Sequence, residues 1–216
     1  MTVVEEAAVA APAFNWTGLY AGVHAGYGWG DFSSPLDSAN FFLGDLSRNP
    51  DGIFGGGQIG YNYQFSNNLV AGFEIDASIA DLDGIGELTL TSGSDRATIS
   101  QGSKIDAFGT VRGRLGYAAD RFLPYVTGGL AWARTSYEFG LDQTDFPGIH
   151  FSDKQTFTGW TLGAGLEYAV TNNVTAKVEY LYADLGSKDF QLGAGLPAIP
   201  GDLTMQTVKF GLNYKF

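Results

Sequence analysis

Residues 208–216, VKFGLNYKF, set Val208, Phe210, Leu212, Tyr214 and Phe216 on one parity and Lys209, Gly211, Asn213 and Lys215 on the other. Strict alternation of this kind is the mark of a β-strand whose two faces meet different surroundings. The pattern recurs upstream. In residues 18–29 Leu19, Ala21, Val23, Ala25, Tyr27 and Trp29 oppose Gly18, Tyr20, Gly22, His24, Gly26 and Gly28, and in 53–65 Ile53, Ile59, Tyr61, Tyr63 and Phe65 oppose Gln58, Asn62 and Gln64. Further segments set Leu69 to Ile79 against Glu74 and Asp76, and Ile105, Ala107, Val111, Leu115 and Tyr117 against Asp106, Thr110, Arg112 and Arg114. Three more follow. Val126, Leu130 and Trp132 face away from Thr127 and Ala131, Trp160 to Tyr168 from Thr161 and Glu167, and Val174 to Tyr182 from Lys177 and Glu179, with Leu181 an exception on the polar parity. Eight strands result.

Connection lengths decide how the strands are arranged. Ser66–Asn68, Ala118–Leu123 and Thr171–Asn173 are short turns, whereas residues 31–52, 82–97, 139–155 and 186–203 read as long acidic loops. Short turns at one end and long loops at the other predict an all-β fold, an eight-stranded antiparallel up-and-down transmembrane β-barrel, with both termini on the short-turn side. A soluble barrel would need its polar parity dense in Lys and Glu. Here that parity is Gly, Ser, Thr, Asn and Gln with a few ions of both signs, which suits a crowded interior. Eight strands enclose a space that side chains fill, and an unpaired charge there is very costly. An ion network in the lumen is therefore expected among Glu74, Asp76, Asp106, Arg112, Arg114, Glu167, Lys177, Glu179 and Lys209. On the apolar parity, Tyr27, Trp29, Phe65, Tyr117, Trp132, Tyr168 and Tyr182 lie toward strand ends, as expected of aromatic girdles at the two membrane interfaces.

Composition removes several functions. With 23 Asp+Glu against 12 Lys+Arg, the net charge of -11 argues against nucleic acid. The chain has no cysteine, hence neither disulfides nor thiolate metal sites. No run is long and apolar enough for a membrane-spanning helix. The N-terminus lacks a charged segment followed by an apolar core, so the expectation is an exported chain from which the signal peptide is absent. Gly55, Gly57 and Gly60 have GxGxxG spacing, but a strand follows where a dinucleotide site needs a helix. His24 falls on the inward parity and His150 in a loop, and no serine and carboxylate converge on either, so no catalytic residue, cofactor or metal site is assigned. The loop carboxylates lack calcium-loop spacing.

With FNWTGLYAGVHAGYGWG opening the first strand, FLPYVTGGLAWA the fifth and VKFGLNYKF the last, the chain resembles the small outer-membrane barrels of alphaproteobacteria, described as porin-family or OmpA-like β-barrel proteins. The resemblance covers about Phe14 to Phe216. It implies a non-enzymatic surface protein of the bacterial outer membrane that supports the envelope and packs against lipid and lipopolysaccharide. It also implies that Phe210, Leu212, Tyr214 and Phe216 form the signal read by the barrel-assembly machinery. Residues 1–13 would be a flexible periplasmic extension, of the kind attached to peptidoglycan in some relatives, and residues 14–216 the barrel. Self-association of barrels stays open. The alternatives are a surface receptor or adhesin that binds a ligand such as haem through its acidic loops, with His150 or Tyr137 as axial ligand, or a narrow pore.

Overall fold

The computed structural model describes residues 14–33, 50–92, 95–143, 146–190 and 199–216. The strands are β1 (Gly18–Ser33), β2 (Asp51–Gln64), β3 (Leu69–Ser92), β4 (Asp95–Tyr117), β5 (Phe122–Gln143), β6 (Phe146–Ala169), β7 (Val174–Phe190) and β8 (Ile199–Lys215). Each pairs antiparallel with its neighbours in sequence, and β1 pairs with β8 from Tyr20↔Lys215 to Ser33↔Asp202, so the sheet closes into a barrel. Closure removes both edges, which is what lets a sheet enter a bilayer without bare backbone donors and acceptors.

The short turns are built for tight reversal. Asn68 and Asp120 hold positive φ (65° and 54°), a conformation that Asn and Asp tolerate better than other side chains. In the third turn the Thr171 hydroxyl accepts from the amides of Asn173 (3.2 Å) and Val174 (3.0 Å). The opposite end differs from the sequence reading. Two of the segments expected as loops are largely strand: β3 continues to Ser92 and β4 resumes at Asp95, while β5 runs to Gln143 and β6 resumes at Phe146. His150 pairs with Gly140 within this extension and so lies on a strand rather than in a loop.

Two bulges explain a further correction. The β3–β4 register shifts between Ile79 and Leu82, and the β4–β5 register between Ile105 and Ala107. A bulge inserts one residue and reverses the parity beyond it. Ile105, expected on the outer face, is therefore fully buried inside, opposite Leu82, which keeps the inward parity of Glu74, Asp76 and Ser78. Asp106, expected in the lumen, sits at the bulge and accepts a hydrogen bond from the Ser136 hydroxyl at 2.7 Å.

The outer wall is apolar. Its exposed hydrophobic side chains run from Leu69 to Ile79 on β3, Phe122 to Trp132 on β5 and Trp160 to Val170 on β6. Each window matches the roughly 9–11 residues that a tilted strand needs to cross a bilayer. On β3, which has 24 residues, fewer than half lie within that window and the rest project past it on the long-connection side.

Candidate functional site

The interior is filled at three levels. Toward the long connections, Phe54, Leu82, Ile105, Phe108, Ala131, Ala133, Phe157, Ala183, Leu185, Leu203 and Met205 form a buried apolar cluster. Phe54 and Phe108 meet edge to face at 4.9 Å. Leu181, the exception on the polar parity of β7, is also buried inside, and it continues toward Ala183 and Leu185 on the same inward face. At the short-turn end Phe14, Trp16, Val70, Ala118, Leu123 and Ala169 form a second cluster. Trp16 is held there from outside any strand: its amide donates to Gln64 Oε1 (2.9 Å) and its indole to the Asp120 carbonyl (3.2 Å).

Between the two apolar clusters lie the ions. Arg112 reaches Glu74 (2.7 Å), Asp76 (2.9 Å) and Glu179 (3.0 Å). Arg114 reaches Glu167 at 2.6 Å, Lys177 reaches Glu74 at 2.6 Å, and Lys209 reaches Glu179 at 3.0 Å and Asp76 at 3.3 Å. Four carboxylates thus meet four cations, all buried. The cluster carries no net charge, so the chain's whole excess of -11 lies elsewhere. Of the residues expected in this network, the structure brings together all but Asp106.

Polar side chains that the parity argument did not single out complete the shell. Tyr20 donates to Glu74 (2.8 Å) and Tyr125 to Glu179 (2.8 Å), and the Arg114 guanidinium lies 3.9 Å from the Tyr125 ring centre and 5.8 Å from that of Tyr20. Each ring lies across a glycine of the neighbouring strand: a Cβ at Gly60 would collide with the Tyr20 phenol, and one at Gly165 would stand 2.5 Å from that of Tyr125. The signal for these tyrosines was present, since each is a lone aromatic on a parity of small residues. Thr175 (2.5 Å) and Asn213 (2.9 Å) donate to Glu167, and Gln58 donates to Asn213 (2.6 Å). His24 contacts Gln58 and, at 2.8 Å, the Ser78 hydroxyl, so the imidazole is partnered by neutral groups. Among the described residues no cluster of His, Asp and Glu is arranged to hold a metal ion.

On the outside, Phe65, Tyr117 and Tyr168 lie at the short-turn end, and Tyr27, Trp29, Trp132 and Tyr182 toward the other. Phe122 packs at a tilt against Tyr168 (4.7 Å between ring centres) and Trp160 against Tyr182 (5.7 Å). Phe122 was hidden from the sequence reading because it was counted as part of a turn. Phe210, Leu212, Tyr214 and Phe216 are all exposed on the outer wall, and the Phe216 amide closes the seam by donating to the Leu19 carbonyl at 2.9 Å. Beyond the membrane-facing rows, Lys104 bonds Asp81 at 2.5 Å; that hydrogen bond, ahead of charge attraction, raises the lysine pKa and lowers that of Asp81. The segment 1–13 and the side chains of Tyr137 and His150 lie outside the described residues.

A closed sheet with an apolar exterior and an ion-paired interior is built to cross a membrane with strands, which makes this an outer-membrane β-barrel. The chain belongs to the outer membrane protein beta-barrel domain family, which matches residues 5–216. It is 39% identical to the 31 kDa outer-membrane immunogenic protein of Brucella melitensis biotype 1, over 94% of this chain and 85% of that protein. It is 34% identical to the 22 kDa outer membrane protein of Rhizobium leguminosarum bv. viciae, over 95% of this chain and 80% of that protein. Among solved structures, the outer membrane protein OprG from Pseudomonas aeruginosa superposes with a TM-score of 0.52, covering 94% of this chain and 98% of that one. At 16% identity this likeness concerns the fold alone. The protein resides in the bacterial outer membrane, in contact with its lipid.

Proposed function

We propose that the protein is a non-enzymatic structural barrel whose lumen is closed by its own side chains, supporting the envelope and presenting its projecting hairpins at the cell surface. The observation that carries this reading is the continuous filling of the interior: an apolar cluster at each end and a neutral set of buried ion pairs between them. Open aqueous channels belong to barrels with about twice as many strands. The name of the Brucella relatives as immunogenic proteins supports exposure of the same family's hairpins to the outside. In this reading Phe210, Leu212, Tyr214 and Phe216 present the finished strand to the barrel-assembly machinery. Residues 1–13 are read as a periplasmic extension through which a link to peptidoglycan would be made, and self-association would use the apolar wall.

Two measurements test the proposal. In planar bilayers the purified protein should give no stable open-channel steps; large, long-lived steps would sink the closed-lumen reading. Deleting the gene should sensitise cells to detergent and to chelation of divalent cations, with rescue by the wild-type gene. Unchanged sensitivity would refute the envelope role.

A further inference from the structure

The described rim at the long-connection end is acidic on its exposed face, with Asp31, Asp51, Asp81, Asp83 and Asp202. Lys104 is engaged there by Asp81 (2.5 Å) and Asp83 (3.3 Å). One sector is different. Arg134 on β5 and Lys154 on β6 are both exposed and share the outward parity with Trp132 and Trp160. Arg134 pairs with Thr156, and Lys154 is two residues further along β6 and pairs with Ser136, so the two cations are diagonal neighbours on one face. Such neighbours are about 7–8 Å apart, within span of a single phosphate for two long side chains. The nearby Asp106 accepts from Ser136 (2.7 Å). Thr156 and Thr158, exposed on the same face, lie between Lys154 and Trp160 on β6, beside Arg134 and Trp132 of β5.

The wall beneath this pair is also distinctive. Gly113 and Gly128 face each other across β4 and β5, leaving a notch edged by Leu115, Val126 and Leu162. A Cβ at Gly113 would meet nothing nearer than the Gly128 carbonyl at 3.9 Å, so the notch is open at Gly113, while the Leu162 side chain covers its Gly128 side, 2.7 Å from where a Cβ would stand. Gly128 is six residues below Arg134, about 20 Å along a strand. At a tilt of about 45° that is roughly 14 Å of depth, close to half the hydrocarbon core of about 30 Å.

We infer that the outer face of β4, β5 and β6 seats one phosphate-bearing glycolipid of the outer leaflet, with Arg134 and Lys154 binding the phosphate and the Gly113–Gly128 notch receiving an acyl chain. Trp132 and Trp160 mark the interface between the two parts, where amphipathic rings settle at headgroup level. Charge selects the occupant: a phosphate is drawn to the sector of the described rim where two exposed cations, Arg134 and Lys154, have one nearby carboxylate, Asp106, which the Ser136 hydroxyl already engages. The inference depends on the reading of the chain as an outer-membrane structural barrel, whose apolar wall lipid must cover.

Native mass spectrometry of the refolded full chain tests it, using an acylated diglucosamine lipid with two phosphates in competition with the same lipid lacking them. Wild type should retain the phosphorylated form about twenty-five-fold more, two cations at a membrane surface each contributing about a factor of five. The double variant R134Q/K154Q should bring the two lipids close to parity, while R121Q/K215Q, which removes two cations at the periplasmic end, should keep the wild-type preference. Gly113→Leu should lower retention of both lipids and leave their ratio unchanged. Wild-type preference in R134Q/K154Q, or an equal loss in R121Q/K215Q, would overturn the phosphate seat, and unaltered retention in Gly113→Leu would overturn the acyl notch. R134Q/K154Q and Gly113→Leu change only the outer wall, so conductance and envelope sensitivity measured on them report separately on the structural role.

Discussion

Replacing Arg112 with Met tests the reasoning about the lumen most directly. The guanidinium meets three buried carboxylates, Glu74, Asp76 and Glu179, at 2.7–3.0 Å. Its removal leaves one uncompensated negative charge in the interior. At an effective dielectric constant of about 20, a contact near 4 Å is worth about 4 kcal/mol, and breaking a buried pair costs about 3–5 kcal/mol. A loss of that size is expected in urea unfolding from lipid vesicles, read by tryptophan fluorescence and by the heat-modifiable shift on gels. Neutrality should matter more than the number of bonds. In the double variant R112M/E179Q three carboxylates face three cations, with Lys209 still near Asp76 (3.3 Å), Lys177 near Glu74 (2.6 Å) and Arg114 near Glu167 (2.6 Å). About half the loss should be recovered. A single variant within about 1 kcal/mol of wild type, or a double variant less stable than the single, would refute the picture of a charge-balanced interior.

Trp16→Ala should cost about 3–5 kcal/mol, because a large buried side chain leaves a cavity at the short-turn mouth, and a lowered urea midpoint checks it. Gly60→Val should displace the Tyr20 phenol from Glu74 and deplete the compact gel band, whereas Gly113→Leu, on the open outer wall, should leave it intact. Deleting Phe216 removes the amide that bonds Leu19 and the last aromatic of the closing strand. Surface labelling should show less inserted protein, and unchanged levels would remove that residue from assembly.

The alternation in residues 208–216 and in seven segments before it was enough to read strand type and the number of strands, and the connection lengths gave the meeting of β8 with β1, because a period of two survives in each strand taken alone. The ionic residues of β3, β4, β6, β7 and β8 were likewise legible by parity. What escaped depends on relations between strands. Phe54, Phe108 and Phe157 come from three separate strands, and only their register shows that they fill one level of the interior. Ile105 and Asp106 were assigned to the wrong faces because a bulge changes the phase of the alternation without changing its period. The length of β3 to β6 was missed for a different reason: on β3 the alternation stays in phase as far as Asp83 and on β5 as far as Thr135, but the acidic composition of the stretches beyond was read as loop. Trp16 lies outside any strand, where periodicity has nothing to say.

The paired tyrosines carry a consequence for how the barrel is put together. Tyr20 with Glu74 and Tyr125 with Glu179 are each 54 residues apart in sequence, and Gly60 and Gly165 hold equivalent places between them. The strands β1–β4 and β5–β8 therefore repeat one plan. Each half supplies two lumen carboxylates and two cations, yet every cation of one half touches a carboxylate of the other: Arg112 with Glu179, Arg114 with Glu167, Lys177 with Glu74 and Lys209 with Asp76. The halves are complementary subunits within a single chain. Split between β4 and β5 and produced as two fragments, they should find each other, since four ion pairs of the lumen form only when the halves meet.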